Sequence, residues 1–315
     1  MDRCFEAKPD SDNSFSTGII PALSSICQNL ERGPISMAQE SAQRRLAVLG
    51  TGKMGGILIE AFLKRGLVQP ENIFATVHHA SQERRNFAGV PVALSTDNRA
   101  AARAADIILL CLKPQTLGAV VDEICPELNE QKLVISIAAS VPADYIERRI
   151  GSGVPVIRTM PNTPSIVGEG ITALSKGKFA TDKHLEAARK LFDAVGKTVV
   201  VDEKHMDAVT GLSASGPAFV YIILESFAEG GVKMGLSREL ATLLAAQMTL
   251  GAAKVALETG HHPALLKDAV TTPAGCTIDG ILELEEGGLR VTLIKAVVKA
   301  SQRAKELLFK DSSPA

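Results

Sequence analysis

The stretch LAVLGTGKMG at residues 46–55 decides the fold. Four apolar residues, typical of a buried strand, run directly into the pattern GxGxxG, and a helical pattern follows at 54–65. In such a unit the first glycine, Gly50, makes the tight turn, Gly52 admits a pyrophosphate close to the backbone, and Gly55 lets the helix pack on the strand. The start of the helix adds free N–H groups and a positive dipole end. Glycines also mark plain turns, but this strand–turn–helix context predicts a dinucleotide site.

Strands and helices alternate outward from this unit to about residue 175. Short apolar, often β-branched runs predict strands at 46–50, 72–77, 90–94, 106–112, 132–137 and 154–158, with helical patterns such as 54–65, 115–128 and 142–150 between them. This alternation predicts an α/β fold with a parallel sheet covered on both faces, a Rossmann-type dinucleotide-binding domain at 45–200. After a last strand at 198–201 the sequence is nearly all helical in period, which predicts a helical second domain at 201–315.

Composition excludes several other classes of protein. The 315 residues are 46% apolar and 22% charged, enough for two domains with real cores. A net charge of −1 and the absence of Trp argue against a nucleic-acid partner. The sequence has no run of 18 or more apolar residues, so it predicts no membrane span. Five cysteines without a CxxC pair indicate neither a disulfide framework nor a metal site, and favour a cytoplasmic location.

The first 44 residues differ from the rest of the chain. They are polar and Ser-rich, with early acidic residues and an apolar stretch interrupted by Pro21. A signal peptide would begin with basic residues and continue apolar without a break, and a transit peptide would be rich in Arg and poor in acids. We therefore predict a disordered extension at 1–44.

The end of the second strand bears on the choice of cofactor. NAD enzymes usually place Asp or Glu there to bond the ribose 2′-hydroxyl. This strand ends in TVHH at 76–79, followed by Ser81, Arg84 and Arg85, so no carboxylate repels a 2′-phosphate. NADPH is therefore the preferred cofactor and NADH a possible one. The alternative for Arg84 and Arg85 is a solvated helix face.

Three further segments follow strands or open helices. Lys113 ends the fourth strand, where it can meet phosphate or ribose; the alternative is a surface lysine whose stem covers apolar residues. The loop RTMPNTPSIVGEG at 158–170 holds polar groups between prolines, which is typical of ligand-binding loops. The turn VTTPAGCTIDG at 270–280 opens a helix, and its N–H groups at Gly275, Cys276 and Thr277 predict an anion nest. A simple helix cap is the alternative there.

These segments, in this order, resemble the pyrroline-5-carboxylate reductase family from about residue 46 to 308. The most specific piece is the family signature near the C-terminus. The matching pieces are GTGKMG at 50–55, CLKPQ at 111–115, VISIAASV at 134–141, RTMPNTPSIVGEGITAL at 158–174, VTGLSASGPAFVY at 209–221, GGVKMGL at 230–236 and the signature LKDAVTTPAGCTIDGILELE at 266–285.

The resemblance implies a Rossmann domain followed by an all-helical dimerisation domain, in homodimers that assemble into decamers. It implies the NAD(P)H-dependent reduction of Δ1-pyrroline-5-carboxylate to L-proline by hydride transfer to the C=N carbon. The cofactor-binding positions would be Leu49, Gly50, Thr51, Gly52, Lys53, Met54, Thr76, Asn98, Lys113, Ala138 and Ala139. The substrate-binding positions would be Glu203, Gly275, Cys276 and Thr277, with the Thr277 hydroxyl as the catalytic group on the ring nitrogen.

Three positions depart from the family pattern. Ala214 and Ala274 stand where the family usually has Gly, and Ala269 stands where relatives often have Asn. Because Ala274 adds a Cβ to a tight turn, it fits only if its φ need not be positive.

Three other functions compete with this interpretation. A β-hydroxyacid dehydrogenase also joins a Rossmann domain to a helical one, but it needs a catalytic lysine in the helical domain and a Gly-rich substrate loop. Reduction of another cyclic imine is a second alternative. The third is a nucleotide-binding scaffold without turnover, which the departures at Ala214 and Ala274 leave open.

Overall fold

The computed structural model describes residues 44–79, 84–87, 89–151 and 153–307. The extension predicted at 1–44 therefore lies outside the described residues, apart from Arg44. A nine-stranded sheet forms the first part of the described chain, in the order β3-β4-β2-β1-β5-β6-β7-β8-β9. The strands are β1 Leu46–Leu49, β2 Ile73–Thr76, β3 Arg84–Phe87, β4 Val90–Ser95, β5 Ile107–Leu110, β6 Leu133–Ser136, β7 Val156–Met160, β8 Gly170–Lys176 and β9 Gly196–Val200.

The sheet is mainly parallel, as predicted, with two antiparallel pairs. β3 pairs with β4 through a hairpin that turns at Gly89, whose φ is +84°. β8 runs antiparallel to β7. The connection at 161–169, which contains the 3₁₀ turn Thr163–Val167, is shorter than the dozen or so residues that a parallel crossover needs. Sequence patterns did not identify β3 or β8.

Helices cover both faces of the sheet, and β1 shows why. Leu46 and Val48 point into one apolar cluster with Phe62 of α1, whereas Ala47 and Leu49 point into the other. Successive side chains of a strand point to opposite faces of the sheet. Because both faces are buried here, every residue of the strand is apolar, which explains the continuous run LAVL. The helices of this part are α1 Lys53–Lys64, α2 Asn98–Ala104, α3 Pro114–Ile124, α4 Ala143–Ile150 and α5 Asp182–Phe192.

The second part of the chain is helical, as predicted. The last strand ends at Val200, and a first 3₁₀ turn spans Glu203–His205. A π-helical segment at Thr210–Ala214 packs against the last helix and leads to a long pair of contacting helices, α7 and α8. The helices are α6 Met206–Val209, α7 Gly216–Lys233, α8 Arg238–Thr259, α9 Pro263–Ala269, α10 Cys276–Glu286 and α11 Leu289–Leu307.

Candidate active site

A crevice opens where the strand order reverses. From β1 the chain builds β2 and β4 on one side of the sheet and then returns to β5 on the other. Ligands of open parallel sheets bind outside the carboxyl ends of the strands at such a switch point. A cavity of about 520 Å³ lies there, lined by residues 50–52, 76–79, 98, 111–113, 116 and 120.

The three glycines of the predicted fingerprint meet three different demands. Gly50 has a φ of +90°, and a Cβ on it would lie 2.7 Å from the carbonyl oxygen of Cys111. A Cβ on Gly55 would lie 2.8 Å from the carbonyl oxygen of Gly50, so the helix can approach the turn only without a side chain there. A Cβ on Gly52 would meet no protein atom within 4 Å. Gly52 therefore keeps open the space through which a ligand reaches the backbone.

The start of α1 has the unfilled hydrogen-bonding capacity that a pyrophosphate would use. Gly52 precedes the helix without a side-chain cap, and the first turn carries no acidic residue. The Thr51 hydroxyl is buried and has no hydrogen-bond partner among the described residues. Free helical N–H groups, an unpaired hydroxyl and a positive dipole end fit a dinucleotide.

Thr76 and Asn98 tie this loop to the neighbouring strands. The amide of Gly50 donates to Thr76 Oγ1 at 3.3 Å, and the amide of Thr51 donates to the Thr76 carbonyl oxygen at 2.7 Å. Thr76 Oγ1 in turn donates to Asn98 Oδ1 at 2.8 Å, and Asn98 Nδ2 donates to Glu123 at 2.9 Å. Both predicted positions thus line the cavity while holding its glycine turn in place.

The rim beyond β2 carries two histidines. His78 Nδ1 and His79 Nε2 lie 3.1 Å apart, and both rings line the cavity. No carboxylate belongs to its lining within the described chain. Ser81 lies outside the described residues. Arg85 in β3 stacks its guanidinium over the Phe87 ring, 5.4 Å from the centroid.

Lys113, Ala138 and Ala139 also follow strands at this edge of the sheet. Lys113 is exposed, precedes α3 and lines the cavity. Ala138 is buried after β6, and its amide donates to Ser136 Oγ at 3.2 Å. Sequence analysis did not identify Ser140. Its φ is +68°, and its buried hydroxyl has no hydrogen-bond partner in the described chain. Both features depend on the residues around it and not on a local sequence pattern.

Glu203 has two partners that the sequence did not indicate. Its Oε1 accepts the Ala143 amide at the start of α4, at 2.7 Å. The same oxygen lies 3.4 Å from Nη1 of Arg158, a residue only 6% exposed, whose Nη2 lies 3.5 Å from Asp207. Glu203 therefore joins the sheet to the helical part. Its contact with a substrate stays a prediction.

The turn at 270–280 has the predicted form, with two differences. Gly275 precedes α10 without a side-chain cap, and N–H groups in a helix's first turn, here those of Cys276 and Thr277, have no acceptor within the helix. The Gly275 amide, expected to be free, donates instead to the Thr272 carbonyl oxygen at 3.1 Å. Ala274 has a φ of +54°, so the condition under which an alanine fits this turn is not met.

The turn and the nucleotide cavity belong to different parts of the chain. Cys276 is exposed and Thr277 is half-buried. All the residues that line the cavity come from 50–120. Within the described residues of one chain, Thr277 is therefore not part of the nucleotide cavity.

Known proteins combine these two sites. Residues 203–307 match the family model described as pyrroline-5-carboxylate reductase dimerisation, and residues 45–140 match the model described as NADP oxidoreductase, coenzyme F420-dependent. The pyrroline-5-carboxylate reductase of Methanosarcina acetivorans is 47% identical over 84% of this chain and 98% of its own length. That of Glycine max is 41% identical over 83% of this chain and 95% of its own length.

The chain belongs to the pyrroline-5-carboxylate reductase family. Solved structures agree. The Plasmodium falciparum enzyme with NADP bound has a TM-score of 0.78 and 31% identity, covering 85% of this chain and 99% of that chain. The Coxiella burnetii enzyme has a TM-score of 0.74 and 34% identity, covering 84% of this chain and 98% of that chain. The chain is thus an oxidoreductase with a Rossmann-type domain for a nicotinamide dinucleotide, followed by a dimerisation domain.

Family membership explains the apolar surface of the helical part. Large apolar side chains such as Leu243, Leu257 and Ile294 are more than half exposed in the single chain. Two helical stretches, 203–233 and 238–259, are long and apolar enough to cross a membrane by length and composition alone. Both stretches lie within the match to the dimerisation model, so this apolar surface belongs to a domain through which subunits pair.

The cysteines of this reductase are free wherever the structure describes them. Burial raises the pKa of the Cys111 thiol far above its ordinary value. Cys111 therefore serves as a small apolar residue beside the glycine turn.

Proposed function

We propose that this chain reduces Δ1-pyrroline-5-carboxylate to L-proline with NAD(P)H, the final step of proline biosynthesis. The observation that carries this is the combination, in one family member, of a dinucleotide crevice at β1 and β5 with an anion-binding turn at the start of α10. Bound NAD(P)H would supply the hydride. The protein's own contribution is then to align the imine carbon of the substrate with the hydride of NAD(P)H.

The crevice would bind the dinucleotide along the carboxyl edge of the sheet. Residues 49–54 would cradle the pyrophosphate. The first-turn N–H groups of Lys53 and Met54 and the Thr51 hydroxyl have unfilled hydrogen-bonding capacity there, and Gly52 admits a phosphate close to the backbone. Thr76 and Asn98 would lie at the adenosine end. Lys113, Ala138 and Ala139 would lie further along the cofactor. These assignments support one continuous groove from β2 across to β6.

The turn at α10 would bind the substrate. Its carboxylate would accept the N–H groups of Cys276 and Thr277, with Gly275 providing close approach. The Thr277 hydroxyl would hydrogen-bond the ring nitrogen, and Glu203 would lie nearby. An imine accepts hydride more readily once protonated, so a bound iminium needs chiefly alignment, with reacting atoms about 3–3.5 Å apart.

We infer that one subunit's crevice works with the dimerisation domain of the other. The exposure of the α10 turn, and a cavity lined only by residues 50–120 in the described chain, support this arrangement. The division into domains at 45–200 and 201–315 follows the change from strands to helices. Assembly of dimers into decamers and a cytoplasmic location remain predictions from the resemblance and the cysteine pattern.

NADPH is the proposed cofactor, with NADH as the second choice. The rim beyond β2 offers His78 and His79 and no carboxylate among its described lining residues. Such a lining does not repel a 2′-phosphate, whereas NAD enzymes usually place an acid at this point.

The test is turnover by the purified protein, followed as loss of NADPH absorbance with Δ1-pyrroline-5-carboxylate, with NADH in parallel. We expect rapid oxidation and a higher kcat/KM with NADPH. Binding of both nucleotides without oxidation would indicate the scaffold. Faster turnover of a six-membered cyclic imine, or of a 3-hydroxy acid in reverse, would indicate the other two alternatives.

A further inference from the structure

The helical part begins with a break that leaves one carbonyl group without a helical partner. In a regular helix the Ser213 carbonyl oxygen would accept the N–H of residue 217, but Pro217 has none. The next amide, that of Ala218, donates to Ser215 at 3.1 Å. The Ser213 carbonyl oxygen is therefore open to a donor from outside the helix.

Asn162 supplies that hydrogen bond from the sheet. Its Nδ2 donates to the Ser213 carbonyl oxygen at 3.1 Å, and its Oδ1 accepts the Ile171 amide at 3.0 Å. The residue is only 8% exposed. Because the amide donates at one end and accepts at the other, an ionised Asp, which only accepts, cannot make the pair.

Asn162 lies at the carboxyl edge of the sheet, on the same side as the nucleotide crevice. The ladder between β7 and β8 ends at Met160 opposite Ala173. Two residues beyond Met160, the Asn162 side chain takes over by accepting the Ile171 amide. Its position is therefore set by the strands rather than by its own loop.

The segment that Asn162 holds is also held from its other side. A Cβ on Gly211 would lie 2.1 Å from Ser301 Oγ and 2.6 Å from the Ser301 amide nitrogen, so this part of the chain packs tightly on α11. The same segment runs directly into α7, which belongs to the dimerisation domain. A shift at Ser213 would therefore move the dimerisation helices relative to the crevice.

We propose that Asn162 is a positioning residue of the reductase. Its amide sets where the chain's own dimerisation helices lie relative to the nucleotide held on the sheet, and through the dimer it sets where the other subunit's substrate turn meets that nucleotide. This rests on the proposed function, and wild-type turnover is measured first so that the two can fail separately. Absence of wild-type turnover would refute the proposed reaction, whereas normal turnover of Asn162 variants would refute the positioning role.

The experiment compares Asn162→Ala and Asn162→Asp with wild type by kcat, substrate KM and the Kd of NADPH. Asn162→Asp keeps the size and the acceptor, loses the donor and adds a negative charge, and it gives a second measurement should the alanine variant not fold. We expect kcat to fall about 10- to 100-fold, as misplacement of reactants by about 1 Å can cause, with the Kd of NADPH unchanged. Asn129→Ala is the matched control, since Asn129 is exposed and bonds only the Gln131 amide two residues away.

Pro217→Ala distinguishes a positioning role of Asn162 from a general loss of structure in its variants. The substitution restores an N–H that can reach the Ser213 carbonyl oxygen. In the Pro217→Ala background, Asn162→Ala should therefore lower kcat several-fold less than it does in wild type, a non-additive result expected only of coupled sites. Three results would each overturn the proposal. They are additive losses of kcat in the double variant, NADPH binding that weakens in parallel with kcat, and wild-type kcat in both Asn162 variants. Sedimentation of each variant shows whether the dimer is intact, and monomers with lowered kcat would also overturn it.

Discussion

A methyl group on Gly55 would lie 2.8 Å from the carbonyl oxygen of Gly50, so the first helix rests directly on the turn that it follows. The strand, the turn and the helix therefore pack so closely here that no side chain fits at Gly55. Gly52, two residues after Gly50, has open space where its side chain would be. The two positions allow stability and nucleotide binding to be separated.

Gly55→Ala should lower both stability and nucleotide affinity. Overpacking of this size costs about 1–3 kcal/mol, and displacement of the Gly50 turn would weaken NADPH binding. Gly52→Ala should weaken NADPH binding while leaving the midpoint of thermal unfolding nearly unchanged. Calorimetric melts and nucleotide titrations of both variants check this, and equal melting of Gly55→Ala and wild type would contradict the packing argument.

The two non-glycine residues with positive φ, among those described, should both accept glycine with a gain in stability. Ser140 at +68° and Ala274 at +54° each carry steric strain of about 1–2 kcal/mol, partly offset by the greater freedom of glycine in the unfolded chain. We therefore expect Ser140→Gly and Ala274→Gly each to raise stability by about 0.5–1 kcal/mol in denaturant unfolding. Ala119→Gly within α3 is the control and should lower it by about 1 kcal/mol.

The Thr277 hydroxyl should matter to turnover and not to nucleotide binding. Thr277→Val keeps the shape and removes a hydrogen bond to a charged ring nitrogen, worth about 1.5–3 kcal/mol. We expect kcat/KM for the imine to fall about 10- to 100-fold at unchanged Kd for NADPH. Thr277→Ser, which keeps the hydroxyl, should retain most of the activity, and a loss as large as that of the valine variant would count against the assignment.

Breaking the dimer should abolish turnover while leaving the crevice able to bind nucleotide. Leu243 on α8 is 63% exposed in the single chain, and Leu243→Asp would place a charge in the apolar surface that a second subunit covers. We expect monomers by sedimentation, NADPH binding in titrations and little imine reduction. Lys183→Glu, on the exposed side of α5, is the control for a charge change away from that surface.

Acid should weaken the sheet domain through Glu127. Hydrogen bonds from Arg103 and Arg99, each at 2.8 Å, lower the pKa of this carboxyl from near 4.5 to about 2. A carboxylate with a lowered pKa stabilises the fold above its unfolded pKa, and that contribution is lost as pH falls from about 4.5 through about 2. Unfolding of Glu127→Gln across this range should show a shallower loss of stability than wild type, with Glu71→Gln as an exposed control.

Sequence by itself determined the parts of this protein that depend on neighbours along the chain. The glycine turn after β1, the alternation of strands and helices, and the turn before α10 are each decided within about ten residues, by backbone freedom, periodicity and helix ends. Most predicted strands therefore lie within two residues of those observed. The family resemblance, carried by the same local motifs, is confirmed.

Only the tertiary structure decided what meets across the chain. The pairing of β8 with β7 and the left-handed backbone of Ser140 and Ala274 depend on neighbours that folding brings together. The contact of Glu203 with a substrate stays a prediction. Its contacts with Arg158 and with the start of α4 join residues 45 and 60 positions apart, which only packing brings together. Asn162 and Ser213 lie 51 residues apart. Pro217, only four residues after Ser213, marks the unpaired carbonyl, but the sequence does not show which side chain bonds it. The turn at 270–280 shows the same limit, since its own residues decide its local form while folding and assembly decide what lies opposite it.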